Sequence, residues 1–207
     1  DTMHPGIIGA GNTGATIAWL LAEAGYNVAI SNSRGPQTLA DLAEGMGPRV
    51  QAMTAAEAAA FGDVIVEAIP YGRYQSLPVK PLAGKILISA ANYYPGRDGD
   101  IDMQGKTHTE LIAAYLPETR VVKGFNTIWS EHLAKQGDTS LPNGRRRAIF
   151  IAGDDADAKQ VVSALIEAIG FGPVDTGPLS GSSIQEPGTR IYNVDLTVDE
   201  ARALPKE

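Results

Sequence analysis

The chain has 207 residues, 43% of them apolar, a formal net charge of −7 and no cysteine. That length suits one large domain, or a nucleotide domain with a small appendage. The acidic balance argues against a nucleic-acid partner, and the missing cysteines exclude disulfides, a thiolate nucleophile and a cysteine metal site. The three histidines, His4, His108 and His132, lack ligand spacing, so no metal is expected. No apolar run approaches the roughly 18 residues of a membrane span, and no signal peptide is visible. A soluble, cytoplasmic protein is therefore expected, with Asp1-Thr2 ahead of Met3 an expression remnant.

In chain order, Gly6-Ile7-Ile8 reads as a short strand feeding a glycine-rich turn, Gly9 to Gly14. A helix follows over Ala15–Ala22 and stops at Gly25. In such a unit Gly9 permits the tight turn, Gly11 lets the backbone approach a pyrophosphate, and Gly14 lets helix and strand pack closely. The helix N-terminus offers unpaired N–H groups and a positive dipole end to phosphates. Glycines also close ordinary turns, so the pattern alone is weak. The strand–turn–helix–turn–strand context makes it a dinucleotide-binding signature.

The next strand, Val28-Ala29-Ile30, ends in Ser31-Asn32-Ser33-Arg34. An NAD site usually carries Asp or Glu there, to hold the ribose 2′-hydroxyl. A carboxylate would repel a 2′-phosphate, whereas hydroxyls and a guanidinium fork bind one. NADP(H) is the expected cofactor. Arg34 by itself would be an ordinary surface arginine in a loop opened by Gly35-Pro36; the absent acid at the same place gives it weight.

A second helix is expected over Gln37–Glu44, then a strand near Val50–Met53, then a helix from Thr54 with Glu57 at the capping-box position. Asp63–Ile69 and Lys85–Ser89 are near-continuous apolar runs, as in strands buried on both faces. Thr107-His108-Thr109-Glu110 opens a helix to about Tyr115, and Arg120–Asn126 is a sixth strand. After a polar loop over Lys135–Gly144 come a strand at Ala148–Ala152, a helix over Ala156–Ile169 and Gly172–Gly177. Leu196–Glu207 is at most a short terminal helix. Arg145-Arg146-Arg147 after Pro-Asn-Gly reads as a solvated hairpin. This alternation predicts an α/β, Rossmann-like, doubly wound and mostly parallel sheet. Residues 1–178 would form the NADP-binding domain and 179–207 a short C-terminal extension, for an acceptor pocket or a dimer contact.

Such sheets bind ligands at the carboxyl ends of their strands, at the switch point of strand order. Four segments converge there: the glycine turn, Ile69-Pro70-Tyr71, Ala91-Asn92-Tyr93 and Phe125-Asn126-Thr127. Ile69 and Pro70 would wall the nicotinamide or its ribose. Asn92 and Asn126 could hydrogen-bond the carboxamide or the ribose hydroxyls, or serve only as turn or cap residues. None of the seven tyrosines has a lysine four residues on, which discounts short-chain dehydrogenases. The β-hydroxyacid dehydrogenases and imine reductases add a long helical domain for which no room is expected here. What remains is hydride transfer without an evident acid–base pair, suited to a ring acceptor that needs only stacking and orientation.

The chain resembles the NADPH-dependent coenzyme F420 reductases (F420H2:NADP oxidoreductases) and their bacterial relatives. The resemblance is carried by Gly6–Gly14, Ser31–Pro36, Ala68–Tyr71, Asn92–Gly99, Val121–Thr127, Gly153-Asp154-Asp155 and Val174–Leu179. It implies Ala10, Gly11, Asn12 and Thr13 on the pyrophosphate, and Ser33 and Arg34, beside Asn32, on the 2′-phosphate. It also implies Ile69, Pro70 and Asn92 around the nicotinamide, Thr127 facing the reacting rings, and a homodimer. The full expected cofactor set adds Gly9, Gly14, Tyr71, Ala91 and Asn126, with no catalytic side chain. The acceptor would be F420 or a flavin. Archaeal members continue into a longer C-terminal helix, where this chain has Ser182–Gly188. Two alternatives stand beside this reading: an NADPH-dependent reductase of another small acceptor such as a ferric complex or quinone, and a non-catalytic NADP(H) sensor.

Overall fold

The computed structural model describes residues 3–206; Asp1-Thr2 and the last residue of the expected terminal helix lie outside it. Strand β1 (Pro5–Ile8) leads through the glycine turn into α1 (Asn12–Glu23), β2 (Val28–Ser31), α2 (Ala40–Gly45) and β3 (Val50–Ala52). The chain then recrosses the sheet through α3 (Ala55–Phe61) to β4 (Val64–Glu67), α4 (Val79–Leu82), β5 (Ile86–Ser89), α5 (Pro95–Asp98), α6 (His108–Tyr115) and β6 (Arg120–Lys123). After α7 (Ser130–Lys135) come β7 (Ala148–Gly153), α8 (Ala156–Ala168), β8 (Gly172–Asp175) and α9 (Val198–Arg202).

The eight strands form one sheet in the order β3-β2-β1-β4-β5-β6-β7-β8. All neighbours are parallel except β6 and β7, which pair antiparallel through Val122 with Gly153 and Lys123 with Ala152. Strand order therefore reverses between β1 and β4, and the ligand crevice of a doubly wound sheet opens there. Alternate residues of each strand serve the two faces, as the period of a strand requires. Ile7, Val66, Ile88, Val122 and Ile151 join α1 and α8 on one face. Ile8, Ile65, Leu87 and Val121 join α3 and α6 on the other. A smaller cluster of Phe150, Ile191, Val198 and Ala201 ties α9 to β7.

Local sequence explains several helix starts. Thr54 with Glu57 and Thr107 with Glu110 form reciprocal capping boxes at α3 and α6, which satisfy N–H groups that a helix start leaves unpaired. The expected helix at 37–44 is split into a 3-10 turn, Pro36–Leu39, and α2. The expected strand at 120–126 stops at Lys123 because Phe125 adopts a positive φ of 63°, which turns the chain out of the ladder. The arginine run corrects the hairpin expectation. Arg147 is buried at 6% exposure and pairs with Gln136 and Asp195, while Arg146 donates to four backbone carbonyls. Three guanidinium donors can serve an irregular loop that has no ladder of its own, and this use outweighs solvation.

Candidate functional site

The glycine turn has the geometry its spacing predicts. Gly9 sits at φ 108°, and a Cβ there would stand 2.6 Å from the Ala68 carbonyl oxygen. A Cβ on Gly14 would meet the Gly9 oxygen at 1.7 Å, whereas one on Gly11 would meet nothing within 4 Å. Gly9 and Gly14 are thus required by the protein itself, and Gly11 leaves free space against the backbone. Gly11 is also the N-cap of α1 with no side-chain cap, so the first-turn N–H groups stay available for an anion. This open cradle fits a pyrophosphate.

At the end of β2, buried Ser31 donates to the Ile7 carbonyl at 2.8 Å and locks β2 to β1. Asn32 Oδ1 accepts from the backbone N–H of Arg34 at 3.0 Å and of Gly35 at 2.9 Å. That bend leaves Ser33 and Arg34 exposed beside the β2 end.

A cavity of about 620 Å³ runs from this bend across the carboxyl ends of β1, β4, β5 and β6. It brings together eleven of the sixteen expected residues: Gly9, Gly11, Asn12, Thr13, Asn32, Ser33, Ile69, Pro70, Ala91, Asn92 and Asn126. Ala10, Gly14, Arg34, Tyr71 and Thr127 do not line it. Tyr71 is fully buried and donates from its hydroxyl to the His108 carbonyl at 2.6 Å, and burial holds that phenol well above its usual pKa. Thr127 is 2% exposed, and its carbonyl accepts from Asn193 N–H at 2.8 Å.

The two asparagines bond to each other. Asn126 Nδ2 donates to Asn92 Oδ1 at 3.0 Å and to the Gln185 carbonyl at 2.6 Å, and Asn92 Nδ2 donates to the Asn126 carbonyl at 2.9 Å. Gln185, from the C-terminal segment, returns a bond to Asn126 Oδ1 at 3.4 Å and one to the Phe150 carbonyl at 3.2 Å. A hydrogen bond from either amide to a ligand would exchange with one of these.

Several lining residues lay outside the expected set: Arg73, Tyr94, Arg97, Trp129, Tyr192 and Asn193. Tyr192 and Asn193 follow Ser130, the lining residue before them, by roughly 60 residues, so only the tertiary fold reveals them. Beneath the cavity floor, the strand register sets Glu67, Ser89 and Lys123 side by side across β4, β5 and β6. All three are buried. Lys123 donates from Nζ to Thr109 Oγ1 at 2.9 Å. Desolvation raises the Glu67 carboxyl to about 7 and lowers the Lys123 ammonium to about 8. A charged residue inside an apolar run, as in Val64-Ile65-Val66-Glu67, was the readable signal. Among the described residues no cluster of His, Asp or Glu could hold a metal ion, and no helix is long and apolar enough to cross a membrane.

The glycine cradle, the β1/β4 switch point and the cavity over the strand ends define a Rossmann-type dinucleotide-binding domain. Residues 5–93 match the family described as NADP oxidoreductase, coenzyme F420-dependent. Over those residues the chain is similar to that family. It is similar to metalloreductase STEAP3 of Rattus norvegicus, 32% identical over 179 residues, which are 86% of this chain and 34% of that protein. The chain thus spans about a third of the length of the curated relatives it matches. Among solved structures, protein SMa0349 of Sinorhizobium meliloti superposes with TM-score 0.82 at 31% identity, covering 95% of this chain and 96% of that one. A protein of Arthrobacter sp. FB24 ascribed to the F420-dependent NADP-reductases gives TM-score 0.72 at 27% identity, with 87% of each chain covered.

Proposed function

We propose that the chain transfers a hydride between NADP(H) and a planar ring acceptor of the deazaflavin F420 or flavin type, bound against the nicotinamide. The observation that carries this reading is the single cavity that continues from the open glycine cradle past the nicotinamide walls to a rim of aromatic side chains. NADPH would supply the hydride with both bonding electrons, and the reduced ring takes its proton from solvent.

The chain's own residues bind and orient. The α1 N-terminus, with Gly9 to Gly14, would receive the pyrophosphate, and Asn32, Ser33 and Arg34 the 2′-phosphate. Ile69, Pro70 and Ala91 would shape the nicotinamide wall with Tyr71 packed behind them, and Asn92 and Asn126 would set the far side, where the Thr127 carbonyl holds Asn193. Holding two rings face to face in a dry crevice can supply most of the rate without a proton-transferring side chain. Residues 1–178 would carry the dinucleotide and residues 179–207 complete the acceptor side. A homodimer in the cytoplasm is the assembly and location proposed.

The similarity to proteins named metalloreductases favours one second reading, an NADPH-dependent reductase whose acceptor is a ferric complex. Purified protein is mixed with NADPH and, separately, oxidised F420, FMN or ferric citrate, and NADPH absorbance is followed. Turnover with a ring acceptor supports the first reading. Turnover with ferric citrate alone supports the second.

A further inference from the structure

The cavity of this acidic chain is lined by two arginines, Arg73 and Arg97, and by no carboxylate and no lysine. Arg97 is the more tightly held. Its Nε donates to Asp98 Oδ1 at 2.9 Å, and Nη2 donates to Asp98 Oδ2 at 2.9 Å and to the Asn92 carbonyl at 2.8 Å. Its guanidinium lies 5.1 Å from the centroid of the Tyr94 ring. The Asp98 side chain is 2% exposed, while that of Arg97 keeps 46%. The buried acid fixes the fork through Nε and Nη2, and the Arg97 side chain stays half-exposed. Tyr94 and Tyr192 join hydroxyl to hydroxyl, and Trp129 leaves half of its surface open at the same cavity.

This positive charge stands in the wrong place for the dinucleotide phosphates. Those belong over β1 and β2, at the glycine cradle and the Asn32 bend. Arg97 follows β5, two strands beyond β1 in the sheet order, which is roughly 10 Å at the spacing of neighbouring strands. A pre-aligned guanidinium beside aromatic faces suits a flat ring that carries an anionic group.

We infer that Arg97 is a specificity-determining residue for the acceptor, reading a phosphate or carboxylate attached to a planar ring seated against Tyr94, Tyr192 and Trp129. This rests on the ring-acceptor reading above and adds the acceptor's charge and the residue that recognises it.

FMN and riboflavin share a ring and differ by one phosphate, so they isolate the claim. Binding of each to the NADP⁺-loaded protein is read from flavin fluorescence, independently of turnover. A charged hydrogen bond of this kind corresponds to roughly a 10- to 100-fold preference for FMN over riboflavin. Arg97→Gln should bring the two ligands to parity, and Arg97→Lys should restore part of the preference. NADPH binding, read from tryptophan fluorescence, should stay unchanged in Arg97→Gln, which also shows that the variant is folded. Equal binding of both flavins by the parent protein overturns the inference. So does a loss of NADPH affinity in Arg97→Gln that matches the loss for FMN, since Arg97 would then read the dinucleotide. Phosphate-dependent flavin binding with no oxidation of NADPH by FMN or by oxidised F420 leaves Arg97 as the reader of a bound ring's anionic group and overturns the ring-acceptor reading.

Discussion

Ser89 donates its hydroxyl to Glu67 Oε1 at 2.6 Å, and both side chains are buried at the carboxyl ends of adjacent strands. The second carboxylate oxygen accepts from Ile69 N–H at 3.4 Å, which ties this acid to the wall of the cavity. Lys123 faces it from β6, and His108, Glu186 and Tyr71 close the surroundings. Burial of a carboxylate disfavours its charged form, so the folded protein holds the Glu67 proton up to about pH 7, well above the ordinary 4.5.

The sign of the resulting pH dependence follows directly. Below pH 4.5 the acid is protonated in the folded and the unfolded chain and adds no slope. Between 4.5 and about 7 the unfolded chain has released its proton and the folded one has not. Stability then falls as pH rises, by on the order of 3 kcal/mol across the window. Lys123, lowered to about 8, works above that window and adds no slope within it. Glu67→Gln should flatten urea-unfolding stability between pH 4.5 and 7; a variant with the parent's slope would locate the source elsewhere.

Gly11 and Gly14 separate cofactor binding from folding. Gly11→Val introduces a side chain into open space at a φ of −74° that any residue adopts. Its melting temperature should stay near that of the parent while NADPH and NADH binding are both lost. Gly14→Ala places a methyl group 1.7 Å from the Gly9 carbonyl oxygen and should lower the melting temperature as well. Calorimetry with and without NADPH distinguishes the two; retained NADPH affinity in Gly11→Val would put the cofactor elsewhere.

Arg34→Ala should weaken NADPH roughly 10- to 100-fold, the span of a charged hydrogen bond, and leave NADH unchanged. Fluorescence titration with both nucleotides reads the ratio. Equal losses would mean that the 2′-phosphate is recognised by other groups.

Asn126→Ala removes three hydrogen bonds at a site only 3% exposed and strands the Gln185 side-chain N–H and backbone carbonyl. Losing buried partners costs about 1–3 kcal/mol per group left unmade. The urea midpoint should fall accordingly with an unchanged slope. A midpoint equal to the parent's would show that this tie between the β6 loop and the C-terminal segment carries no stability.

Where function depends on local geometry, the sequence was legible. The glycine spacing announced which glycine the protein needs and which leaves room for a ligand, because each role follows from steric contact within a few residues. The apolar runs at 63–69 and 85–89 announced buried parallel strands. Phe125 gave no warning of its positive φ, since nothing in an aromatic residue favours that region; the tertiary setting imposes it. The four-residue helices α4 and α5 are too short to show a helical period, so Arg97, inside a stretch noted only for its resemblance, showed no role of its own. The buried role of Arg147 and the Asn92–Asn126–Gln185 tie join residues separated by tens of positions, which no local pattern encodes.

The reversal of β7 against β6 has a consequence for how such a site changes. A parallel neighbour needs a helical crossover to return the chain to the same end of the sheet, and its length is constrained by that geometry. Residues 124–147 join an antiparallel pair, so they are free of this constraint while carrying Ile128, Trp129 and Ser130 into the cavity. Insertions and deletions in this one connection can reshape the mouth of the crevice while the glycine cradle keeps its shape, which makes it a natural place for what the crevice admits to change.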